Sequence, residues 1–144
     1  MGISDKQILL VEDNPDDEFL TIDALRQNNI TNPVDVVRDG AEALDYLFGE
    51  GKYAQRDIRR MPVLTLLDLN LPKIDGVEVL RRIRADRRTK HLIVVVLTTS
   101  SEQVDLLKSY SIGCNSYVRK PVNLDEFMET VRELGKYWLS VNRN

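Results

Sequence analysis

The stretch LLDLNLPKIDG, residues 66–76, decides the fold. It opens in a nearly continuous apolar run, Val63–Leu67, which reads as a β-strand covered on both faces. An acidic residue, Asp68, stands at the end of that strand. A helix then reads from Gly76 to Ala85, with Val77, Leu80 and Ile83 along one stripe. Strand, acidic residue and amphipathic helix make one unit of a parallel sheet wrapped by helices.

The same unit recurs on both sides. Further strands are expected at Gln7–Val11, Val34–Val37, Leu92–Leu97 and Ser116–Val118. Asn14 caps the first helix, with Pro15 in its first turn and Asp16 and Asp17 at the positive end of its dipole. A second helix reads from Ala41 to Phe48, ended by Gly49 and Gly51. The fourth spans Ser101–Ser111, capped by Ser100 or Ser101. Asn123 caps the fifth, where Leu124, Phe127, Val131, Leu134 and Trp138 repeat at helical spacing. Five units in sequence fit a doubly wound α/β sheet of order 2-1-3-4-5, flavodoxin-like in plan. The polar, basic stretch Glu50–Met61 reads as an extended surface loop with a short helical turn.

Length and composition agree with one domain. The chain has 144 residues, 42% of them apolar and 30% charged, a size that one core can serve. Residues 1–144 are expected to form a single domain with its core at about 7–139. A net charge of −3 gives no basic footprint for nucleic acid. The basic series Arg81, Arg82, Arg84, Arg87, Arg88 and Lys90 reads as a solvated helix face. Cys114, a single cysteine, excludes an intrachain disulfide and is expected as a small buried residue near a strand start. His91 reads as a residue leading into a strand. No signal peptide or spanning segment is legible, so a cytoplasmic location without membrane insertion is expected.

Ligands of an open parallel sheet gather beyond the carboxyl ends of its strands. Here those ends carry Glu12–Asp13, Asp68, Thr98 and Lys120–Pro121. Carboxylates crowded together repel one another, and a hard cation relieves the conflict. Oxygen ligands with retained waters suit Mg²⁺. Asp13 and Asp68 are its expected ligands, Glu12 binds directly or through water, and the backbone carbonyl of Asn70 adds another. Beside such a metal, Asp68 can serve as a nucleophile toward a phosphoryl group. Thr98 and Lys120 are then placed to balance the charge on the phosphoryl oxygens.

The segments ILLVEDN (8–14), LLDLNLPKIDG (66–76), VVVLTTS (94–100) and YVRKP (117–121) closely resemble two-component response-regulator receiver domains. The spacings match as well, with Thr98 30 residues and Lys120 52 residues beyond Asp68. The resemblance implies that Asp68 is the phosphoacceptor, Glu12 and Asp13 the acidic metal pair, and Thr98 and Lys120 the phosphoryl contacts. It also implies a cis Lys120–Pro121 bond and a switch pairing Thr98 with Tyr117, the aromatic residue three before the lysine. The likeness is strongest to small single-domain receivers that partner phytochrome-type histidine kinases. Its implied partners are a sensor histidine kinase or phosphotransfer protein, with a homodimer through the fourth helix, fifth strand and fifth helix. Trp138 is expected either in the core or on such a surface. The chain would promote only its own phosphorylation and dephosphorylation.

Three departures qualify the match. The 50–61 stretch is longer than in the shortest receivers, Thr99 is bulkier than the usual small residue, and Asn70 and Ser100 flank the site. Rival classes fit less well. A haloacid-dehalogenase-like phosphatase needs a second acid two residues beyond the nucleophile, where Asn70 stands. A flavodoxin needs a phosphate loop after its first strand, where EDNPDD places negative charge. A degenerate receiver that only binds proteins would not need the complete set of acids, hydroxyl and lysine.

Overall fold

The computed structural model describes the backbone of residues 6–142 and the side chains through Leu134. The elements follow the expected alternation: β1 (Ile8–Val11), α1 (Pro15–Gln27), β2 (Val34–Val37), α2 (Gly40–Phe48), β3 (Leu64–Asp68), α3 (Gly76–Ala85), β4 (Val94–Thr98), α4 (Ser101–Ser109), β5 (Ser116–Arg119) and α5 (Leu124–Asn142). All strand pairings are parallel, and the sheet order is β2-β1-β3-β4-β5. The reversal of winding between β1 and β3 creates a crevice at their carboxyl ends.

The central strands are buried along their whole length because helices cover both faces. One face packs Leu9, Val11, Val94 and Val96 against α2, α3 and Leu107 of α4. The other packs Ile8, Leu10, Leu66, Val95 and Val118 against α1 and Phe127 of α5. Alternate residues of each strand thus serve opposite cores, as a period of two demands.

Punctuation behaves as its chemistry requires. The Asn14 side chain accepts from the backbone N–H groups of Asp16 and Asp17 and starts α1. Ser100, not Ser101, caps α4, accepting from the Glu102 N–H at 3.1 Å. The Asn123 side chain accepts from the Glu126 N–H at 3.0 Å. Gly49 closes α2 in the left-handed region at φ 66°. α4 stops at Ser109, two residues before the expected end, and Ser111 takes φ 56°. β3 and β4 run one residue further than read from the sequence, so Asp68 and Thr98 are themselves the last residues of their strands. Their ladder bonds hold both backbones rigid at the site.

The 50–61 stretch carries a short 3₁₀ turn at Gly51–Tyr53 and is fastened to α2. The Tyr53 ring meets Tyr46 edge-on at 5.2 Å. Tyr53 donates its hydroxyl to Glu42 at 2.7 Å, and Tyr46 donates to Asp35 at 2.6 Å. Arg56 lies 4.0 Å over the Tyr46 ring and donates to the Tyr46 and Arg60 carbonyls. Cation, rings and carboxylates together hold a polar segment against the domain.

Three side-chain expectations need correction or bounding. Arg84 is not part of a solvated face: its guanidinium donates to the carbonyls of Lys90, Leu92 and Gly113 and to the Asn115 side chain, tying α3 to the segments around β4. The planar, five-donor guanidinium suits this multiple bridging. Cys114 is half-buried rather than buried, and burial pushes its thiol up. The expectation for Trp138 falls outside the described side chains. His91 is exposed in the turn before β4.

Candidate metal and phosphoryl site

Strand register assembles the site. Val11 of β1 pairs with Leu67 of β3, so the next residues, Glu12 and Asp68, leave the sheet side by side. Asp68 pairs with Leu97, which puts Thr98 one step beyond on the neighbouring strand. The Lys120 N–H donates to the Thr98 carbonyl at 2.8 Å and directs the lysine back over the same edge. The Lys120–Pro121 bond is cis.

Glu12, Asp13 and Asp68 offer carboxylate oxygens that all lie within 4.8 Å of one another. The Lys120 ammonium bridges Glu12 and Asp68. It donates to Asp68 Oδ2 at 3.0 Å and Glu12 Oε2 at 3.2 Å, and it pairs with Asp17 at 2.9 Å. Asp17 had been read only as a helix-dipole residue. A second acid one turn into α1 was visible in EDNPDD, but its reach toward Lys120 depends on how α1 crosses the sheet.

The charges do not balance. Three carboxylates, Glu12, Asp17 and Asp68, contact a single ammonium, and a fourth, Asp13, adjoins Glu12 and Asp68. Burial pushes the Glu12 carboxyl well above its usual range, reinforced by the Asp68 carboxylate and opposed by Lys120. Burial works against the Lys120 charge, but hydrogen bonds to Asp17 and Asp68 outweigh it and hold the ammonium above its ordinary value. Glu12 Oε1 is buried without a hydrogen bond, although the ammonium lies 3.1 Å away. An excess of crowded oxygens, one of them unsatisfied, fits a divalent cation.

Asp68 forms the floor of the site at 1% exposure, whereas Asp13 and Asn70 stand at its rim. Asp68 Oδ1 accepts the Asn70 N–H at 2.9 Å, which fixes the carboxylate plane. A cleft of about 470 Å³ adjoins it, lined by Asp13, Asn70, Asp75, Gln103 and Leu106 among others.

Thr98 lies beside this group with 3% exposure. Its hydroxyl engages Gln103 Oε1 at 2.8 Å and the Ser100 carbonyl at 3.0 Å. Sequence reasoning missed Gln103, because a glutamine on a helix carries no signal of its own. The Tyr117 ring is 53% exposed. It borders a cavity of about 160 Å³ that Thr98, Val104, Lys108 and Glu126 also line. The fold thus brings Glu12, Asp13, Asp68, Thr98 and Lys120 to one edge, with Asn70 at its rim and Tyr117 behind Thr98.

A doubly wound sheet with an acidic, lysine-bridged pocket at its switch point defines a class of metal-dependent signalling domain. The chain belongs to the response regulator receiver domain family, whose model matches residues 8–132. It is 40% identical over 134 residues to Response regulator Rcp1 of a Synechocystis species, covering 93% of this chain and 89% of Rcp1. A structure of the Mn²⁺-bound form of Rcp1 superposes with a TM-score of 0.75. The bacteriophytochrome response regulator RtBRR superposes with a TM-score of 0.84 at 46% identity, covering 91% of this chain and 78% of that one. The phosphorylated cyanobacterial phytochrome response regulator RcpA gives 0.76 at 44% identity, covering 95% and 96%.

The protein is therefore a response-regulator receiver of two-component phosphorelay signalling, and its acidic cluster suits a divalent metal. Such receivers work with histidine kinases or phosphotransfer proteins. Among the described residues no helix is long and apolar enough to cross a membrane.

Proposed function

We propose that residues 1–144 act as one cytoplasmic receiver domain that accepts a phosphoryl group on Asp68 from a phosphohistidine donor, a sensor kinase or phosphotransfer protein of the phytochrome-linked type. One observation carries this reading: a single ammonium, that of Lys120, touches both Asp68 and Glu12 within a cluster of acids. A salt bridge built for stability alone would not gather so many uncompensated carboxylates around one cation.

Asp13, Asp68, Glu12 and the Asn70 backbone carbonyl would hold Mg²⁺. A divalent ion bound there would supply charge to offset the acids and the phosphoryl oxygens. An Asp68 carboxylate oxygen bonds to phosphorus while the donor's P–N bond breaks, its electron pair stays on the imidazole nitrogen, and that nitrogen takes a proton from solvent. Lys120 shifts from Asp68 to the incoming phosphoryl oxygens. Thr98 turns its hydroxyl toward another of them. The chain itself promotes both uptake and hydrolytic loss of the group, and it turns over no other substrate.

Phosphorylation adds about −1.5 to −2 charge near neutral pH. Drawing Thr98 inward enlarges the cavity that Tyr117 borders, and the ring moves in behind it. This change alters the face of α4, β5 and α5, where Tyr117 is an exposed aromatic side chain. That face forms a homodimer. Nucleic acid is not a partner, since Arg81, Arg82 and Arg88 are engaged by Glu78 and Asp86.

The test is incorporation of label from acetyl phosphate with Mg²⁺. Label is expected on the wild type and not on Asp68→Asn. Equal labelling of the two, or none on either, overturns the assignment. Sedimentation with and without beryllofluoride tests the dimer, and unchanged mass at saturation removes it.

A further inference from the structure

The Thr98 hydroxyl has one proton to donate, and two acceptors stand within hydrogen-bond reach of its oxygen. Thr98 Oγ1 lies 2.8 Å from Gln103 Oε1 and 3.0 Å from the Ser100 carbonyl oxygen, the shorter contact being to Gln103. Gln103 occupies the first turn of α4, three residues past the capping Ser100. Its amide is itself held: Gln103 Nε2 donates to Asn70 Oδ1 at 2.7 Å, and Asn70 Nδ2 donates to Thr99 Oγ1 at 3.3 Å. The Ser100 N–H donates to the Thr98 hydroxyl oxygen at 3.1 Å, completing its coordination.

The chain Thr98–Gln103–Asn70–Thr99 therefore links the end of β4, the start of α4 and the loop after β3. Asn70 fixes the glutamine amide so that the carbonyl oxygen, not the amino group, faces Thr98. A free surface glutamine would have several rotamers open to it; this one is pinned at its far end.

We propose that Gln103 is a positioning residue for phosphoryl acceptance: it holds the Thr98 hydroxyl in a resting orientation that must be given up before Thr98 can serve the phosphoryl group. This rests on the reading of Asp68 and Thr98 above. A single hydroxyl proton cannot be donated to Gln103 and to a phosphoryl oxygen together. Uptake is thus penalised by the Gln103 bond. Because Gln103 sits on α4 and is held by Asn70, that bond couples the Thr98 hydroxyl at the end of β4 to the helix start. The penalty of one neutral hydrogen bond corresponds to about 3- to 10-fold in an equilibrium constant.

The experiment is a double-mutant cycle on beryllofluoride affinity with Mg²⁺ present. Gln103→Leu keeps the side-chain bulk and removes both amide bonds. It is expected to bind about 3- to 10-fold more tightly than the wild type. In a Thr98→Val background, which has no hydroxyl to release, the same substitution is expected to change nothing. Unchanged affinity of Gln103→Leu overturns the proposal, and so does equal tightening in both backgrounds.

A measurement on the unsubstituted protein guards against a misfolded variant. The side-chain amide resonances of Gln103 are expected to shift on saturation with beryllofluoride, and stationary resonances overturn the proposal. Failure of the wild type to bind beryllofluoride at all would instead overturn the receiver reading and this one with it.

Discussion

Gly76 packs directly against the backbone of Asp68. A Cβ at Gly76 would stand 2.4 Å from the Asp68 carbonyl oxygen and 2.5 Å from Leu69 Cα, closer than any real side chain approaches backbone. The Gly76 N–H also donates to the Leu69 carbonyl at 3.1 Å. The start of α3 therefore presses the end of β3 into place, and the acceptor's position depends on a missing methyl group.

Gly76→Ala should accordingly cost about 1–3 kcal/mol, the usual range for overpacking. Because the neighbour is backbone, the strain falls on Asp68 and weakens metal binding too. Urea unfolding with and without Mg²⁺ checks both effects. An alanine variant as stable and as metal-responsive as the wild type would contradict this packing.

Relief of the acidic cluster by a divalent ion should appear as stability. At a free Mg²⁺ concentration 100 times Kd the folded state gains about 2.7 kcal/mol. For a chain of this size that raises Tm by roughly 5–10 °C. Asp13→Asn, which removes an exposed carboxylate from the cluster, should abolish most of the gain while leaving the core untouched. Thermal melts over a Mg²⁺ titration measure it, and a flat Tm in the wild type would refute the metal assignment.

Tyr46 ties α2 to β2 through its bond to Asp35. Burial, then the Asp35 carboxylate, pushes the phenol up from about 10 to about 12. The folded state therefore holds the phenolic proton more tightly than the unfolded chain. This contribution is complete below pH 10 and is lost as pH rises from about 10 to about 12. Tyr53, also raised by burial and by Glu42, acts in the same direction. Tyr46→Phe should cost about 1 kcal/mol near pH 8 and flatten the alkaline fall in stability. Denaturant midpoints across that range are the measurement, and an unchanged alkaline slope would count against the Asp35 bond.

Phe127 is fully buried between α5 and the sheet. Truncation to alanine removes a large ring from the layer that α1 and α5 form on the sheet and should cost about 3–5 kcal/mol. Equilibrium unfolding monitored by circular dichroism measures the loss, and a cost below 1 kcal/mol would mean that α5 is not anchored there.

Family membership, sheet order and the grouping of Glu12, Asp13 and Asp68 were legible before any coordinates. Continuous Val, Ile and Leu runs mark strands covered on both sides, and acids following them mark the edge where ligands gather. These are local patterns, imposed by burial and by the two-residue repeat of a strand. The boundaries of β3, β4 and α4 slipped by one or two residues, because hydrogen-bond ladders and a left-handed Ser111, not hydropathy, end those elements.

Asp17, Gln103 and Arg84 lay beyond such reading. Asp17 acquires its role from the path of α1 over the sheet, which brings it 2.9 Å from Lys120. Gln103 acquires its role from a loop 33 residues earlier in the chain. Arg84 looked like one charge of a solvated face until its partners around β4 were visible.

By itself the sequence determined which residue types stand at which strand ends, since alternation and burial are properties of neighbours along the chain. Only the tertiary structure decided which of them share protons and charge. Hydrogen bonds and ion pairs act over about 3 Å, and at that range the crossing of a helix, not its sequence, selects the partner.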